Sequence, residues 1–308
     1  AATSARLRER LESRPDTVIV ETKPGEATAP IARQAAEEGY ELVVAAGGDG
    51  TVNAVVNGLA EAGGSAAMGV LPLGTANDFA YSLAIPDDID LAIDLLNEGR
   101  RVPIDVVEFQ SKSEHRFFAN VAAGGNSGRV SDVLTDELKR MWGPFCYLRG
   151  ALEVLTDLGS YYAKIWIDEE EPFEASLWNV LIANGKTNAG RLPVAPKALL
   201  DDGLIDVILI RDGTLVDLAS LVAQFALNGY LDSDQVIFRR AKSLRIESEP
   251  SMRFTVDGEP TADPPEVFRV REGAIRMVVG EAFRTAPEIA AAEADDGNEE
   301  PPAIVSLF

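Results

Sequence analysis

An apolar run that stops at a cluster of glycines constrains this chain more than any other feature. Residues 42–46 are apolar, the next five are Gly47, Gly48, Asp49, Gly50 and Thr51, and the pattern that follows is helical. This order predicts a strand, a tight loop and the start of a helix. Glycine leaves room for backbone N–H groups to approach a phosphate, and a helix start adds aligned amides and a partial positive charge. The loop therefore predicts a binding site for a nucleotide phosphate.

A second turn of the same kind follows. Residues 69–73 are apolar and lead into Gly74, Thr75, Ala76, Asn77 and Asp78. Neither turn has the spacing of a P-loop or of a dinucleotide-binding fingerprint. Two Gly-Thr turns after neighbouring strands can face one polyphosphate, with the hydroxyls of Thr51 and Thr75 as donors.

Asp49 needs a role different from that of its glycine neighbours. A carboxylate and a phosphate repel each other, so we expect Asp49 to hold Mg²⁺, directly or through water. The cation then bridges to the phosphate oxygens and neutralises their charge.

In these two glycine turns, the sequence resembles the catalytic domain of diacylglycerol kinases, in particular that of the soluble bacterial lipid kinases. Those kinases are related to sphingosine and ceramide kinases. The glycine motif alone is shared with NAD kinases and 6-phosphofructokinases, whereas residues 74–80 make the resemblance specific. Four further segments resemble the family's motifs in the same order: residues 103–106, 118–125, 199–207 and 254–260. The resemblance thus covers nearly the whole chain.

The resemblance implies a set of site residues. ATP is expected to contact Gly47, Gly48, Asp49, Gly50, Thr51, Gly74, Thr75 and Asn77, and a catalytic Mg²⁺ cluster is expected at Asp49, Asp78 and Asp105. Asp257 is implied as the general base that takes the proton of the lipid hydroxyl, and Glu259 as a group that supports it or a second metal. A separate structural Mg²⁺ is implied at Asp202, with the backbone carbonyls of Leu199 and Leu204.

Each of these acidic residues also has a purely structural interpretation. Asp78 can cap the helix that follows it, and Asp105 can be a buried carboxylate bonded to backbone amides. Asp257 can belong to an ordinary Asp-Gly hairpin turn, and Asp202 to a simple turn. The residue types alone leave both interpretations open.

Periodicity predicts two domains. Residues 1–104 alternate helices and strands, which indicates a Rossmann-like three-layer α/β domain with a parallel sheet, with a helix over residues 4–14 and a strand over Asp16 to Thr22. Residues 105–280 carry short, closely spaced strands, which are typical of an antiparallel β-sandwich, and we expect the lipid to bind there.

Helices and an acidic tail complete the prediction. Helical stretches are expected at about 131–158 and 214–229, and a helix near 281–291 is expected to pack back on the first domain. The acidic residues 292–308 are expected to be disordered. Residues 141–148 are rich in interfacial aromatics and fit either membrane contact or core packing.

Composition excludes several classes of function. The formal charge of −22 opposes nucleic-acid binding and simple docking on anionic lipid. The single cysteine, Cys146, cannot form an intrachain disulfide, and the single histidine, His115, lies in a polar stretch that reads as a hairpin loop. No uncharged apolar stretch reaches the ~20 residues of a membrane-spanning helix, and no signal peptide is visible.

The start of the chain departs from the resembled family. Family members usually begin with a short strand and an Asn-Pro-x-Ser/Ala-Gly turn that touches the nucleotide, whereas this sequence begins with Ala1-Ala2-Thr3-Ser4. We therefore expect the natural sequence to be longer than this one.

The sequence as a whole predicts an ATP-dependent, Mg²⁺-requiring lipid kinase that is cytoplasmic and peripherally associated with the membrane. The expected partner is a lipid substrate at the membrane surface, no nucleic acid is expected, and a homodimer is compatible with the sequence. A sphingoid-base kinase, an NAD kinase and a non-catalytic nucleotide-binding regulator remain the alternatives. An NAD kinase would carry Asn-Glu where this chain has Asn77-Asp78.

Overall fold

The α/β region begins with strands that alternate with helices. A computed structural model describes residues 8–11, 17–23, 27–126, 158–227 and 229–296. The elements of this region are α1 (Thr28–Glu37), β1 (Leu42–Gly47), α2 (Asp49–Glu61), β2 (Ala67–Pro72), α3 (Asp78–Ser82) and α4 (Ile89–Glu98). Strands β1 and β2 are parallel, with Gly47 opposite Pro72, so both glycine turns leave the same edge of the sheet.

The second region is built mainly from antiparallel strands. They are β3 (Arg100–Gln110), β4 (His115–Phe118), β5 (Val121–Gly125), β6 (Tyr161–Ile167), β7 (Phe173–Ala183), β8 (Ile205–Arg211), β9 (Val236–Ala241), β10 (Ser243–Glu249), β11 (Phe254–Val256), β12 (Glu259–Pro260) and β13 (Val267–Val279). Helix α5 (Leu215–Ala226) follows β8, and helix α6 (Ala286–Asp296) follows β13. Helix α5 begins with a capping box in which Thr214 and Asp217 bond each other's backbone amides.

Two long strands join the regions into one hydrogen-bonded sheet. The C-terminal part of β13 runs parallel to β2, with Met277 opposite Met68, whereas its whole length pairs antiparallel with β3. The register between β3 and β13 shifts between Arg271 and Ile275. The predicted domain boundary at residue 104 lies inside β3, and the division into two domains stays a prediction.

Each region has its own apolar core. The first contains buried side chains of α2, β2 and β3, among them Leu59, Met68 and Ile104. The second contains a cluster of phenylalanines, in which Phe109, Phe118 and Phe268 lie with ring centroids 6.3–6.5 Å apart. Both cores include residues of β3 and β13, the same pair of long strands.

The structure confirms the predicted fold class and corrects some elements. Most predicted strands of the second region are present, but strand β9 was not predicted. The strand expected over Asp16 to Thr22 is wrong, because residues 17–23 form no strand and Val18 and Val20 remain exposed. The C-terminal helix begins at Ala286, later than the predicted start near residue 281, and it continues through residues 292–296, which were predicted to belong to the disordered tail.

Some predictions fall on residues outside those described. These are most of the helix over residues 4–14, the stretch 131–158 with the aromatic residues 141–148 and Cys146, and residues 297–308 of the tail. Helix α6 contacts the start of β3 and the segment before β8, since Glu288 pairs with Arg100 at 2.8 Å and the amide of Ala286 donates to Asp201.

Candidate active site

The two glycine turns touch each other. A Cβ on Gly74 would lie 2.5 Å from the Cα of Gly48, and the amide of Leu73 donates to the carbonyl of Gly47 at 3.0 Å. Gly47 also has to be a glycine, because a Cβ on Gly47 would lie 2.4 Å from the Thr51 hydroxyl oxygen. The first amides of α2 have no acceptor within the helix, so they are available to an anion.

Asp49 and Asn77 fix the second turn against the first. Oδ2 of Asp49 accepts the backbone N–H of Asn77 at 3.0 Å. The Asn77 side chain closes its own turn, since its Oδ1 accepts from the amide of Gly74 and its Nδ2 donates to the carbonyl of Gly74, both at 3.0 Å. Asn77 has a φ of 52°, which asparagine tolerates better than most residues. Its described contacts therefore shape the turn, and its contact with a nucleotide stays a prediction.

Asp257 lies in a two-residue hairpin turn between β11 and β12. Asp257 and Gly258 have φ values of 47° and 87°, and Val256 pairs with Glu259, which is the geometry of a type I′ turn. The turn directs the carboxylate onto the backbone between β4 and β5. Oδ1 accepts from the amides of Asn120 and Val121 at 3.2 and 3.0 Å.

Oδ2 of Asp257 has two further donors. It accepts from the amide of Ala119 at 3.2 Å and from Nδ2 of Asn53 at 2.9 Å. Burial raises the pKa of this carboxyl, and the four hydrogen bonds oppose that effect because they favour the ionised form. Together the four donors use about four acceptor positions, which is the full capacity of a carboxylate.

Asn53 and Asn57 connect helix α2 to the antiparallel region. They are spaced one helical turn apart and are both buried. Asn57 exchanges hydrogen bonds with the backbone of Phe117, donating and accepting at 2.8 Å each. This places the helix that begins at the glycine loop directly against the strand that leads to the amides around Asp257.

Arg116 and Glu259 form an ion pair beside these residues. Nη2 of Arg116 donates to Oε2 of Glu259 at 2.8 Å and to Oδ1 of Asn53 at 3.4 Å. Sequence reasoning missed Arg116, because it lies at the end of a polar stretch that was assigned to a hairpin loop. His115 faces elsewhere: it is exposed and pairs with Glu108. The loop between β3 and β4 is shorter than the predicted stretch, because His115 already pairs with Gln110 as the first residue of β4.

The carboxylates of Asp78 and Asp105 are occupied by backbone amides. Oδ2 of Asp78 accepts from Gly190 at 3.0 Å, and its Oδ1 accepts from Arg191, so this side chain holds a loop of the second region and not the start of its own helix. Asp105 accepts from Gly203 and Gly273 at 2.7 Å each. Burial raises the pKa of the Asp105 carboxyl.

Asp202 lies next to a cationic side chain. Its Oδ2 contacts the guanidinium of Arg240, whose Nε is also 3.3 Å from Oδ1 of Asp206. The amide of Leu204 donates to Oδ1 of Asp202 at 3.0 Å. The structural Mg²⁺ at Asp202, Leu199 and Leu204 stays a prediction, and Arg240 is an alternative source of positive charge for these carboxylates.

The residues at the glycine turns fit a metal better than those around Asp202. The part of the chain that the structure describes contains no group of three or more His, Cys, Asp or Glu side chains close enough to share an ion. Asp49, however, lies where the two turns meet, its Oδ2 accepts from the amide of Asn77, and carboxylate oxygens suit Mg²⁺. Participation of Asp78 and Asp105 in a metal cluster stays a prediction.

Two known domain families match the chain. The diacylglycerol kinase catalytic domain matches residues 1–109, and the YegS C-terminal NAD kinase beta sandwich-like domain matches residues 119–279. The diacylglycerol kinase of Staphylococcus carnosus is 35% identical over 246 residues, which are 80% of this chain and 78% of that protein. A Staphylococcus epidermidis diacylglycerol kinase is 36% identical over 237 residues, or 77% of this chain and 73% of that protein.

A solved structure shares the fold. A diacylglycerol kinase from Bacillus anthracis superimposes with a TM-score of 0.69 at 20% identity, covering 91% of this chain and 93% of that chain. The chain is thus a two-region protein, with a diacylglycerol kinase catalytic domain followed by a β-sandwich-like domain. The chain belongs to the diacylglycerol kinase family. The family resemblance predicted from the motifs is therefore confirmed.

Proposed function

We propose that the protein transfers the γ-phosphoryl group of ATP to the hydroxyl of diacylglycerol or a related lipid, in a reaction that requires Mg²⁺. The observation that carries this proposal is the contact of the two glycine turns next to the Asp257 hairpin. Asn53, two residues beyond Thr51, bonds directly to the Asp257 carboxylate at 2.9 Å. A phosphate on the turns and a hydroxyl near Asp257 would therefore be neighbours.

The nucleotide side of the reaction depends on positioning. Phosphoryl transfer needs alignment and charge neutralisation more than covalent chemistry. Backbone amides at Gly48 to Thr51 and at Gly74 to Thr75 are proposed to hold the phosphates, and the Thr51 and Thr75 hydroxyls to donate to them. When bound at Asp49, Mg²⁺ supplies neutralisation of the developing charge on the phosphate oxygens.

Asp257 is proposed as the general base. It accepts the proton of the lipid hydroxyl at Oδ2 while the lipid oxygen forms its bond to the γ-phosphorus. The bond from that phosphorus to the oxygen shared with the β-phosphate breaks, and ADP leaves. For Oδ2 to accept this proton one of its two donors has to give way, and Asn53 is the donor that can rotate, since the other is the backbone amide of Ala119.

The lipid is proposed to enter from a membrane surface. Its hydroxyl would lie near Asp257 and its chains against apolar side chains of the antiparallel region. In the described residues, no helix is both long and apolar enough to span a bilayer. A cytoplasmic protein that associates with the membrane at its periphery fits the proposal, and a homodimer stays a prediction.

The acceptor can be identified by direct transfer of radiolabelled phosphate from ATP. The panel consists of diacylglycerol, phosphatidylglycerol, sphingosine and NAD, each with and without Mg²⁺. Transfer to diacylglycerol that requires Mg²⁺ is the expected result. Transfer to NAD and to none of the lipids would refute the proposal, and ATP binding without transfer to any acceptor would favour a regulatory role.

A further inference from the structure

Glu259 lies against the start of α2, where the proposed function puts a nucleotide phosphate. Its Oε1 would be 3.5 Å from a Cβ built on Gly50, the second residue of that helix. A helix N-terminus favours an anion, and the Glu259 carboxylate is an anionic group close to this one. A phosphate on the first amides of α2 would bring further negative charge beside Glu259.

Arg116 is the side chain that holds Glu259 there. Its Nη2 is 2.8 Å from Oε2 of Glu259, and the two side chains are 28% and 49% exposed. An ion pair this exposed is weak and can exchange partners. A guanidinium binds phosphate oxygens at least as well as it binds a carboxylate, through parallel N–H donors.

The charges around the turns make such an exchange favourable. Asp49, Asp257 and Glu259 contribute three carboxylates next to the proposed phosphate site, and Arg116 contacts the two elements that carry Asn53 and Glu259. ATP would add further negative charge beside Glu259. Moving Glu259 away and turning Arg116 toward the phosphate removes one repulsion and replaces the attraction between Arg116 and Glu259 with one between Arg116 and the phosphate.

We propose that the terminal phosphate of ATP takes the place of the Glu259 carboxylate at the Arg116 guanidinium, beside the start of α2. Arg116 is thereby a phosphate-binding residue, and Glu259 competes with the nucleotide for it. This inference rests on the proposed function, because it assumes that ATP binds at the glycine turns.

The two partners of the ion pair should then affect ATP binding in opposite directions. Calorimetric titration with ATP is made on wild type, Arg116→Met and Glu259→Gln, each with and without Mg²⁺. We expect Arg116→Met to weaken binding by about tenfold or more, since a charge-assisted hydrogen bond is lost. We expect Glu259→Gln to tighten binding about two- to fivefold, the scale of an exposed charge interaction.

Two controls separate this effect from general destabilisation. Glu114→Gln removes another carboxylate near Arg116, 3.6 Å from its Nη1, and is expected to leave ATP binding unchanged. Arg116→Lys keeps the charge and should restore part of the lost affinity. Thermal unfolding of each variant shows whether it is folded at the titration temperature.

The outcomes distinguish failure of this inference from failure of the proposed function. Weaker ATP binding in both Arg116→Met and Glu259→Gln would show a merely structural ion pair and overturn the inference. Weaker binding of Glu259→Gln only when Mg²⁺ is present would make Glu259 a metal ligand, which also overturns it. Wild-type protein that binds no ATP would refute the proposed function itself, before any variant is compared.

Discussion

Removal of the Asn53 side chain tests how its hydrogen bond affects the pKa of Asp257. Nδ2 of Asn53 donates to Oδ2 of Asp257 at 2.9 Å, and Asn53 is only 2% exposed. A hydrogen bond to a charged group contributes about 1.5–3 kcal/mol, and this one stabilises the ionised form of Asp257. In Asn53→Ala, Asp257 should therefore bind its proton about ten- to a hundredfold more tightly.

The sign of the effect on activity follows from the role of a base. Asp257 can take a proton only when it is ionised, and its pKa is already raised by burial. A further increase in the pKa makes activity fall earlier as the pH is lowered. We expect the acidic limb of kcat/KM for phosphate transfer to diacylglycerol to move to higher pH in Asn53→Ala.

Asn57→Ala is the matched control for this experiment. Asn57 has the same side chain one helical turn later and is 7% exposed, but it bonds to Phe117 and Asn53 instead of Asp257. It should lower the melting temperature without moving the acidic limb. An Asn53→Ala variant that is folded and active, and has the wild-type acidic limb, would refute the assignment of Asp257 as the base.

Three further predictions concern the turns and the carboxylates of Asp202 and Asp206. Gly74→Ala should weaken ATP binding at least tenfold, because the added Cβ would meet the Gly48 backbone at 2.5 Å. Gly229→Ala is the control and should bind ATP like wild type, because its Cβ would come no nearer than 4.0 Å to Gln224. Burial raises the pKa of Asp206 to about 7, so the stability linked to its protonated form is complete below pH 3.8 and lost as the pH rises through about 7. Asp206→Asn should then unfold at higher temperature than wild type above neutral pH, by at most about 4 kcal/mol of unfolding free energy, and equal stability at every pH would contradict this. Arg240→Met should show a larger Mg²⁺-dependent rise in melting temperature than wild type, since Arg240 pairs with the Asp202 carboxylate; an equally large rise in wild type would support the structural metal instead.

Local sequence signals predicted the parts of the molecule in which neighbours in the chain are neighbours in space. The glycine loop after β1 and the Asp257-Gly258 hairpin are of this kind, since the residue types needed for a tight turn are adjacent in sequence. The antiparallel region was also predictable, because its strands alternate with short turns.

The contacts that complete the site come from distant parts of the chain. Arg116 meets Asn53 across 63 residues and Glu259 across 143, so no local pattern links them. Arg240 faces Asp206 only because β9 pairs with β8 in a particular register, and β9 itself was not predicted. The spacing of Asn53 and Asn57 predicts that both side chains lie on the same face of a helix, because they are one turn apart. It does not predict which residues they bond.

At the apolar segment of residues 17–23, a local sequence signal gave a wrong prediction. Its β-branched residues favour a strand by composition, yet a strand forms only where backbone partners are available. Among the described residues this segment has no strand partner, and Val18 is 63% exposed.

The most direct test of the central claim is phosphate transfer from ATP to diacylglycerol by Asp257→Asn, measured together with its affinity for ATP. Because Asn would present donors to the amides of residues 119–121, Asp257→Glu is measured beside it as a variant that keeps an acceptor-only group. If Asp257 is the base, both variants should bind ATP like wild type and transfer phosphate at least about a hundredfold more slowly. Wild-type transfer rates in Asp257→Asn would contradict the account.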